Sequence, residues 1–223
     1  MNDSVFGYRF DASFEYENGF YLTAGLPRFS KFLSHYELYK KIVDLPGHVV
    51  ECGVFKGASF LRWTAFRDIL ENPFSRRIVG FDSFGQFPET EFAPDRKLRQ
   101  RFIEEAGSQS LSVEQMMLVL EKKGHQNVDL VPGNIVETSA EYVRAHPELK
   151  IALLHIDTDI YEPARAALEA FYPCIVRQGL LVLDDYGTFP GETRAVDDYF
   201  AGIDVAIQKL SISHHIPAFI VKP

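Results

Sequence analysis

The sequence predicts an α/β protein, a mostly parallel sheet with helices on both faces and an antiparallel hairpin at its C-terminal end. Short strand-like apolar runs alternate with stretches of helical spacing through most of the chain, which is the pattern of a covered parallel sheet. Two of those runs stop abruptly in aspartates, at 157 and at 184–185, as strands do when their carboxyl ends open on a ligand crevice. The last two runs, 205–210 and 218–221, have only residues 211–217 between them. That is too short for a helical crossover, so the pair should be antiparallel.

The elements follow in order. Residues 1–27 carry Phe6, Tyr8, Phe10, Phe14, Tyr16, Phe20 and Tyr21 without a clear period. An irregular arm fits them, either packed on the domain or acting as a lid or oligomer contact, because exposed aromatics in such number are a liability. From 28 to 43 the apolar positions keep a helical spacing, and Pro46-Gly47 ends the helix. A strand at 48–52 leads through a glycine-containing turn into a helix at 60–70. A second strand at 77–81 ends in Asp82-Ser83. Residues 84–109 hold two prolines and many charges, and read as a long loop with at most one short helix near 96–105; loops of that length are usually functional or mobile. Ser112 and Gln115 resemble a capping box for a helix at 112–123. A short strand at 128–131 runs into Pro132-Gly133-Asn134. Then come a helix at 138–145, a strand at 151–156, a helix at 162–171 with Pro163 in its first turn, a strand at 180–183 and a helix at 192–200. The division expected is an arm and helix over 1–47 and one catalytic domain over 48–223.

Composition narrows the function. The 223 residues suit one α/β domain with a sizeable core. Lys and Arg number 23 against 31 Asp and Glu, a formal charge of −8, so nucleic acid is not expected as a partner. No stretch is apolar for roughly 18 residues, so no membrane span is read. The start MNDSVFGYRF has neither a basic beginning nor an apolar core, so it is not read as a secretory signal. Two cysteines, Cys52 and Cys174, are too few for a disulfide framework and suit buried thiols in the cytoplasm.

The chemistry gathers at strand ends. In IALLHIDTDIY, residues 151–161, an apolar run finishes in Asp157-Thr158-Asp159; residues 180–183 finish in Asp184-Asp185-Tyr186-Gly187. Two neighbouring strands ending this way crowd carboxylates that repel unless a proton or a cation lies between them, which suits a hard divalent metal held by oxygen. The competing reading is helix capping. The turn ECGVFKGAS, residues 51–59, offers close backbone approach and free helix amides. Its glycine spacing is not that of a dinucleotide fingerprint or a P-loop. An acid before the turn, Glu51, would repel pyrophosphate and suit a cationic amino group, pointing to a cofactor that carries an amino acid. Asp82 ends the second strand, where such folds bind ribose hydroxyls; otherwise it caps a turn.

At these residues the chain resembles a family. The 51–59 turn is similar to that of metal-dependent class I methyltransferases using S-adenosylmethionine, including the catechol O-methyltransferases. A closer resemblance is to the macrocin O-methyltransferase family, through ECGVFKGAS, GFDSFGQFPE at 80–89, HIDTDIYEPARAALEAFYP at 155–173 and LVLDDYGTFPGETRAVDDYF at 181–200. The match covers roughly 48–200, with its motifs in order. The resemblance implies a Rossmann-like class I methyltransferase fold and Mg²⁺-dependent methyl transfer to a hydroxyl of a deoxysugar, nucleotide-activated or attached to a natural product, in antibiotic or glycan biosynthesis. It implies that Glu51 and Gly53 line the methionine end of S-adenosylmethionine, that Ser59 meets its carboxylate, that Asp82 with Ser83 holds the ribose, and that Gly133 and Asn134 flank the adenine. Asp157, Asp184 and Asp185 match the magnesium ligands, and Asp157 the general base. Where the catechol enzymes have a lysine base, this chain has Ile160; where the sugar enzymes more often have glycine, it has Thr158.

Further candidates are weighed beside these. Asp159 is read as a cap on the following helix or a reserve base. His155 is read as a buried structural histidine, His214 and His215 as solvated loop residues or a substrate-side base, and Tyr161 and Tyr186 as packing residues or sugar platforms. The rival functions are a metal-dependent glycosyltransferase using Asp-x-Asp, which leaves Glu51 facing phosphates, an aspartyl-phosphate phosphatase, whose Asp-x-Asp belongs to the first strand, and a non-catalytic binding or assembly domain. A homo-oligomer is expected from the aromatic arm; the acceptor and the methylated hydroxyl are not legible.

Overall fold

A computed structural model describes residues 4–213 and 215–223. The arm opens with a two-stranded antiparallel ribbon, β1 (Ser4–Val5) and β2 (Tyr8–Arg9). A 3-10 turn and helix α1 (Ser13–Thr23) follow, so residues 4–27 are more regular than their aromatic scatter suggested. None of the α1 residues is buried, which explains the missing period: no face is selected by a core. Helix α2 (Leu26–Lys40) starts with Pro27 in its first turn, where the absent N–H costs nothing.

The main sheet takes its strands in the order β5-β4-β3-β6-β7-β9-β8. These are β3 (His48–Cys52), β4 (Ile78–Asp82), β5 (Val128–Pro132), β6 (Ile151–Ile156), β7 (Ile175–Leu183), β8 (Gln208–Lys209) and β9 (Ala218–Val221). The first five run parallel, while β9 is antiparallel to both β7 and β8. The hairpin expected at the C-terminus is therefore present, with its first strand cut from 205–210 to two residues. Strand β7 begins five residues earlier than the 180–183 run, because Arg177, Gln178 and Gly179 interrupt the apolar pattern with a left-handed residue at Gln178 (φ 66°).

Helices α3 (Ala58–Leu70), α4 (Arg96–Ala106), α5 (Val113–Lys123), α6 (Ile135–Ala145), α7 (Tyr161–Phe171) and α8 (Pro190–Tyr199) complete the chain. Helix α5 carries the capping box of Ser112 and Gln115. Helix α6 starts three residues before the 138–145 prediction, because Asn134 caps it by accepting from Val136 N at 3.1 Å.

Each face of the sheet has its own core. Leu38, Tyr39, Ile42, Phe60, Trp63, Phe66 and Met116 pack one face from α2, α3 and α5. Ile135, Ala164, Leu168, Phe171 and Val196 pack the other from α6, α7 and α8. Side chains of this size contribute roughly 2 kcal/mol each when fully buried. No helix among the described residues is long and apolar enough to cross a membrane.

Candidate active site

Strand register builds the site. Cys52 pairs with Ile156, and Ile156 with Leu183, so the residues just beyond them, Gly53, Asp157 and Asp184, come side by side at the carboxyl edge. Asp157 N donates to Cys52 O at 2.9 Å and Asp184 N to Ile156 O at 3.0 Å, extending the ladder by one step. Gly53 stands at φ +93°, and a Cβ there would collide with the carbonyl of Asp157. Only glycine fits this close approach. A cavity of about 910 Å³ opens above the edge, lined by Gly53, Asp82, Asp157, Asp184 and Asp185 among others. A volume of this order accommodates a cofactor-sized ligand together with part of a second molecule.

Asp157, Asp184 and Asp185 each offer an oxygen, and these atoms lie within 4.8 Å of one another. Burial and then the charge of Asp184 push the Asp157 carboxyl well above the usual range; burial and then Asp159 do the same to Asp185. Asp184 goes the other way. Burial opposes its charge, but Lys31, His155 and His35 hold its carboxyl well below the ordinary value. Two further sets that include His155, one with His35 and Asp184 and one with Glu51 and Asp157, also fall within that distance. His155 lies between carboxylates, with Nδ1 at 3.4 Å from Glu51 Oε1 and Nε2 at 3.4 Å from Asp184 Oδ1. Burial opposes its charge, yet the bonds to Asp184 and Glu51 push it up to about 10. Trp63 Nε1 donates to His155 Nδ1 at 3.3 Å. The all-oxygen trio is the set suited to a hard cation such as Mg²⁺.

The predicted residues divide into two groups. Gly53, Ser59, Asp82, Ser83, Gly133, Asn134, Asp157, Asp184 and Asp185 all line the one cavity. Glu51 does not: it is fully buried beneath it, and the Ser59 hydroxyl donates to its Oε1. Ser59 is thus engaged by the acid below it rather than held free for a ligand carboxylate. Asp82 orders the turn, its Oδ2 accepting from Val54 N and Phe55 N at 2.9 Å each and its Oδ1 from Phe84 N at 2.7 Å. Ser83 donates to Gln86 O at 3.0 Å.

Asp159 corrects the sequence reading. Helix α7 is N-capped by Ile160 with no side-chain cap bond, so Asp159 is not its cap. Held at φ 62°, Asp159 lines the cavity and bonds to Asp185, and burial and then Asp157 push its carboxyl well above the usual range. Tyr161 and Tyr186 donate to Asp198 and Asp197 at 3.2 and 2.9 Å and are packing residues, not platforms in the cavity. His155 is buried, as read. His215 is exposed and does not line the cavity; His214 lies outside the described residues.

Several functional neighbours escaped the sequence reading. Lys31 of α2 reaches the cavity and pairs with Asp184 Oδ2. Burial opposes its charge, but Asp184 and Asp157 hold the ammonium above its ordinary value. His35, one turn on, lies 3.7 Å from Asp184 Oδ1 and stacks on Trp63; burial lowers it to about 3. Arg28, Lys31 and His35 share one helix face, a polar stripe in an aromatic helix that could have signalled the site. Buried Glu192 of α8 accepts from Asp185 N at 2.9 Å. The long 84–109 segment is pinned at the rim: Asp95 accepts from Tyr161 N at 3.0 Å and Gly191 N at 2.7 Å, and Glu162 accepts from Glu91 N at 2.9 Å and Phe92 N at 3.1 Å.

A parallel sheet whose central strand ends meet a glycine turn on one side and three carboxylates on the other defines the methyltransferase class of α/β folds. CalS11, described as calicheamicin methyltransferase, superposes with a TM-score of 0.76 at 27% identity, covering 94% of this chain and 85% of that one. The O-methyltransferase NovP gives 0.74 at 22%, over 86% and 79% of the two chains, a likeness of fold alone. The family model of macrocin O-methyltransferase matches residues 27–212, and the chain belongs to that family. In sequence it is 30% identical over 162 residues to 8-demethyl-8-(2,3-dimethoxy-alpha-L-rhamnosyl)-tetracenomycin-C 4'-O-methyltransferase of Streptomyces olivaceus, across 70% of this chain and 58% of the relative. It is 28% identical over 177 residues to demethyldecarbamoylnovobiocin O-methyltransferase of Streptomyces niveus, across 76% and 64%. The match thus spans about three fifths of those relatives' length.

Proposed function

We propose that the protein transfers a methyl group from S-adenosylmethionine to a hydroxyl of a deoxysugar, nucleotide-activated or attached to a natural product, with Mg²⁺ held by Asp157, Asp184 and Asp185. The observation that carries this reading is the juxtaposition of three carboxylates with the Gly53 turn on one cavity. The relatives support the acceptor class by name, one being a rhamnosyl-tetracenomycin methyltransferase and one described as a TDP-rhamnose 3'-O-methyltransferase.

The residues fit both groups. Burial and mutual repulsion among these carboxyls are what a bound cation would relieve. When bound there, Mg²⁺ would lower the pKa of a coordinated sugar hydroxyl, and S-adenosylmethionine would supply a methyl group already activated on sulfonium. The chain supplies the rest. Asp157, the member of the acid trio next to the Gly53 turn, takes the hydroxyl proton. Asp82 fixes the backbone at 54, 55 and 84 and presents its remaining lone pairs to ribose hydroxyls, with Ser83 beside it. Gly53 gives the methionine end close access to backbone, Glu51 sets the turn from below through Ser59, and Gly133 and Asn134 border the adenine. Positioning of this kind carries most of a transfer to an intrinsically reactive electrophile.

A cytoplasmic location, and a homo-oligomer formed through the aromatic arm and helix of residues 1–47, belong to the same proposal. The test is transfer of labelled methyl from S-adenosylmethionine to a panel of nucleotide-linked and glycosylated deoxysugars, with Mg²⁺ or with EDTA. Incorporation that EDTA abolishes is expected; incorporation unaffected by EDTA removes the metal from the reading.

A further inference from the structure

Arg28 of α2 and Arg62 of α3 both line the cavity. Among the described residues neither guanidinium has a hydrogen-bond or salt-bridge partner, although every other cation on the cavity wall is engaged: Lys31 by Asp184 and Lys56 by Ala106 O at 2.6 Å. Arg62 lies over the Phe32 ring at 6.0 Å, which orients its plane without using its donors. Burial brings its pKa below the ordinary value against the pull of Asp184 and Glu51, with the Arg28 charge adding to the lowering. Arg62 is half-buried and Arg28 exposed at the cavity mouth, and because neither spends its guanidinium donors on the protein, both forks are free to grip an anion that enters. Ser59, three residues before Arg62 and so on the same helix face, already donates to Glu51. An anion entering here therefore finds the arginine fork as its free donor set.

We propose that Arg28 and Arg62 form an anion subsite that binds a two-oxygen anionic group, a carboxylate or a phosphate, beside the acid trio. Two sources carry that chemistry into this cavity: the α-carboxylate of the methyl donor, and a phosphate of a nucleotide-activated acceptor. The first rests on the donor reading above; the second does not.

The test uses the full chain and its Arg28→Gln, Arg62→Gln and double variants, whose folding is followed by thermal unfolding. Calorimetry is run with S-adenosylhomocysteine, with 5'-methylthioadenosine, which lacks the amino-acid end, and with inorganic pyrophosphate. If the donor carboxylate is the ligand, S-adenosylhomocysteine weakens at least tenfold in each variant and methylthioadenosine stays within twofold. If an acceptor phosphate is the ligand, pyrophosphate binding is lost in the variants and S-adenosylhomocysteine is unchanged. Folded variants that bind all three probes within twofold of the parent overturn the subsite. Failure of the parent chain to bind either adenosine compound overturns the donor reading instead, and pyrophosphate alone then decides.

Discussion

Lys31 and Asp184, 153 positions apart in the chain, form an ion pair at the floor of the cavity, where the ammonium neutralises one carboxylate of the acid trio. The pair ties the N-terminal helix to the carboxyl edge of β7. Of the three acids, Asp184 is thus paired with lysine, while burial and mutual repulsion hold Asp157 and Asp185 above their ordinary range.

Replacing Lys31 with Met should therefore destabilise the metal-free protein by about 3 kcal/mol, since removing one partner strands a buried charge. Mg²⁺ should restore most of the loss, so its stabilising effect in thermal unfolding should be larger in the variant than in the parent. An equal effect in both would mean that lysine and metal do not share Asp184.

Asp157, Asp159 and Asp185 have carboxyls raised by burial and mutual repulsion. From the ordinary carboxylate range up to those raised values the folded chain holds protons that the unfolded chain has lost. Metal-free stability should then fall as pH rises through that window, and Asp184, held low, should contribute the opposite slope only at more acid pH. Mg²⁺ needs the ionised forms, so its affinity should rise with pH and its binding should release protons, read by calorimetry in buffers of different ionisation enthalpy.

Asp95 satisfies backbone amides at the starts of α7 and α8, and Gly191 lies so close that a Cβ would strike the Asp95 carboxylate. Asp95→Ala should leave both amides without that partner at about 1–3 kcal/mol in total, and speed hydrogen exchange across residues 84–109. Because Gln86, Phe87 and Glu91 of that segment line the cavity, loosening it should raise the acceptor KM more than it lowers kcat. Unchanged exchange in that segment would mean that Asp95 does not hold it.

Gly53→Ala forces a Cβ against the Asp157 carbonyl at a positive φ. It should cost about 1–3 kcal/mol from backbone strain alone and displace Asp157, lowering Mg²⁺ affinity together with donor affinity. A variant that weakens the donor only would separate the turn from the metal edge.

The sheet, its strand ends and the acid trio were legible because each rests on local signals: apolar runs, acids that stop them, and glycines at fixed spacing. What escaped was carried by tertiary contact. Lys31 and His35 lie on a helix whose aromatic residues masked the polar stripe. Asp159 looked like a cap because Asp before a helix normally is one, whereas its left-handed backbone turns the side chain to Asp185. Glu51 was placed on the cavity by its position before the glycine turn, and a side chain at a strand's end points into the sheet face below as readily as toward the crevice. Helix α1 gave no period because no core selects its face.

The most direct test of the central claim is a titration of S-adenosylmethionine and of Mg²⁺ into the parent chain and into Asp157→Asn. The account predicts one donor site in both proteins, and Mg²⁺ binding together with methyl transfer only in the parent. No heat from the donor at millimolar concentration, or Asp157→Asn protein that binds Mg²⁺ and transfers methyl at the parent rate, would contradict it.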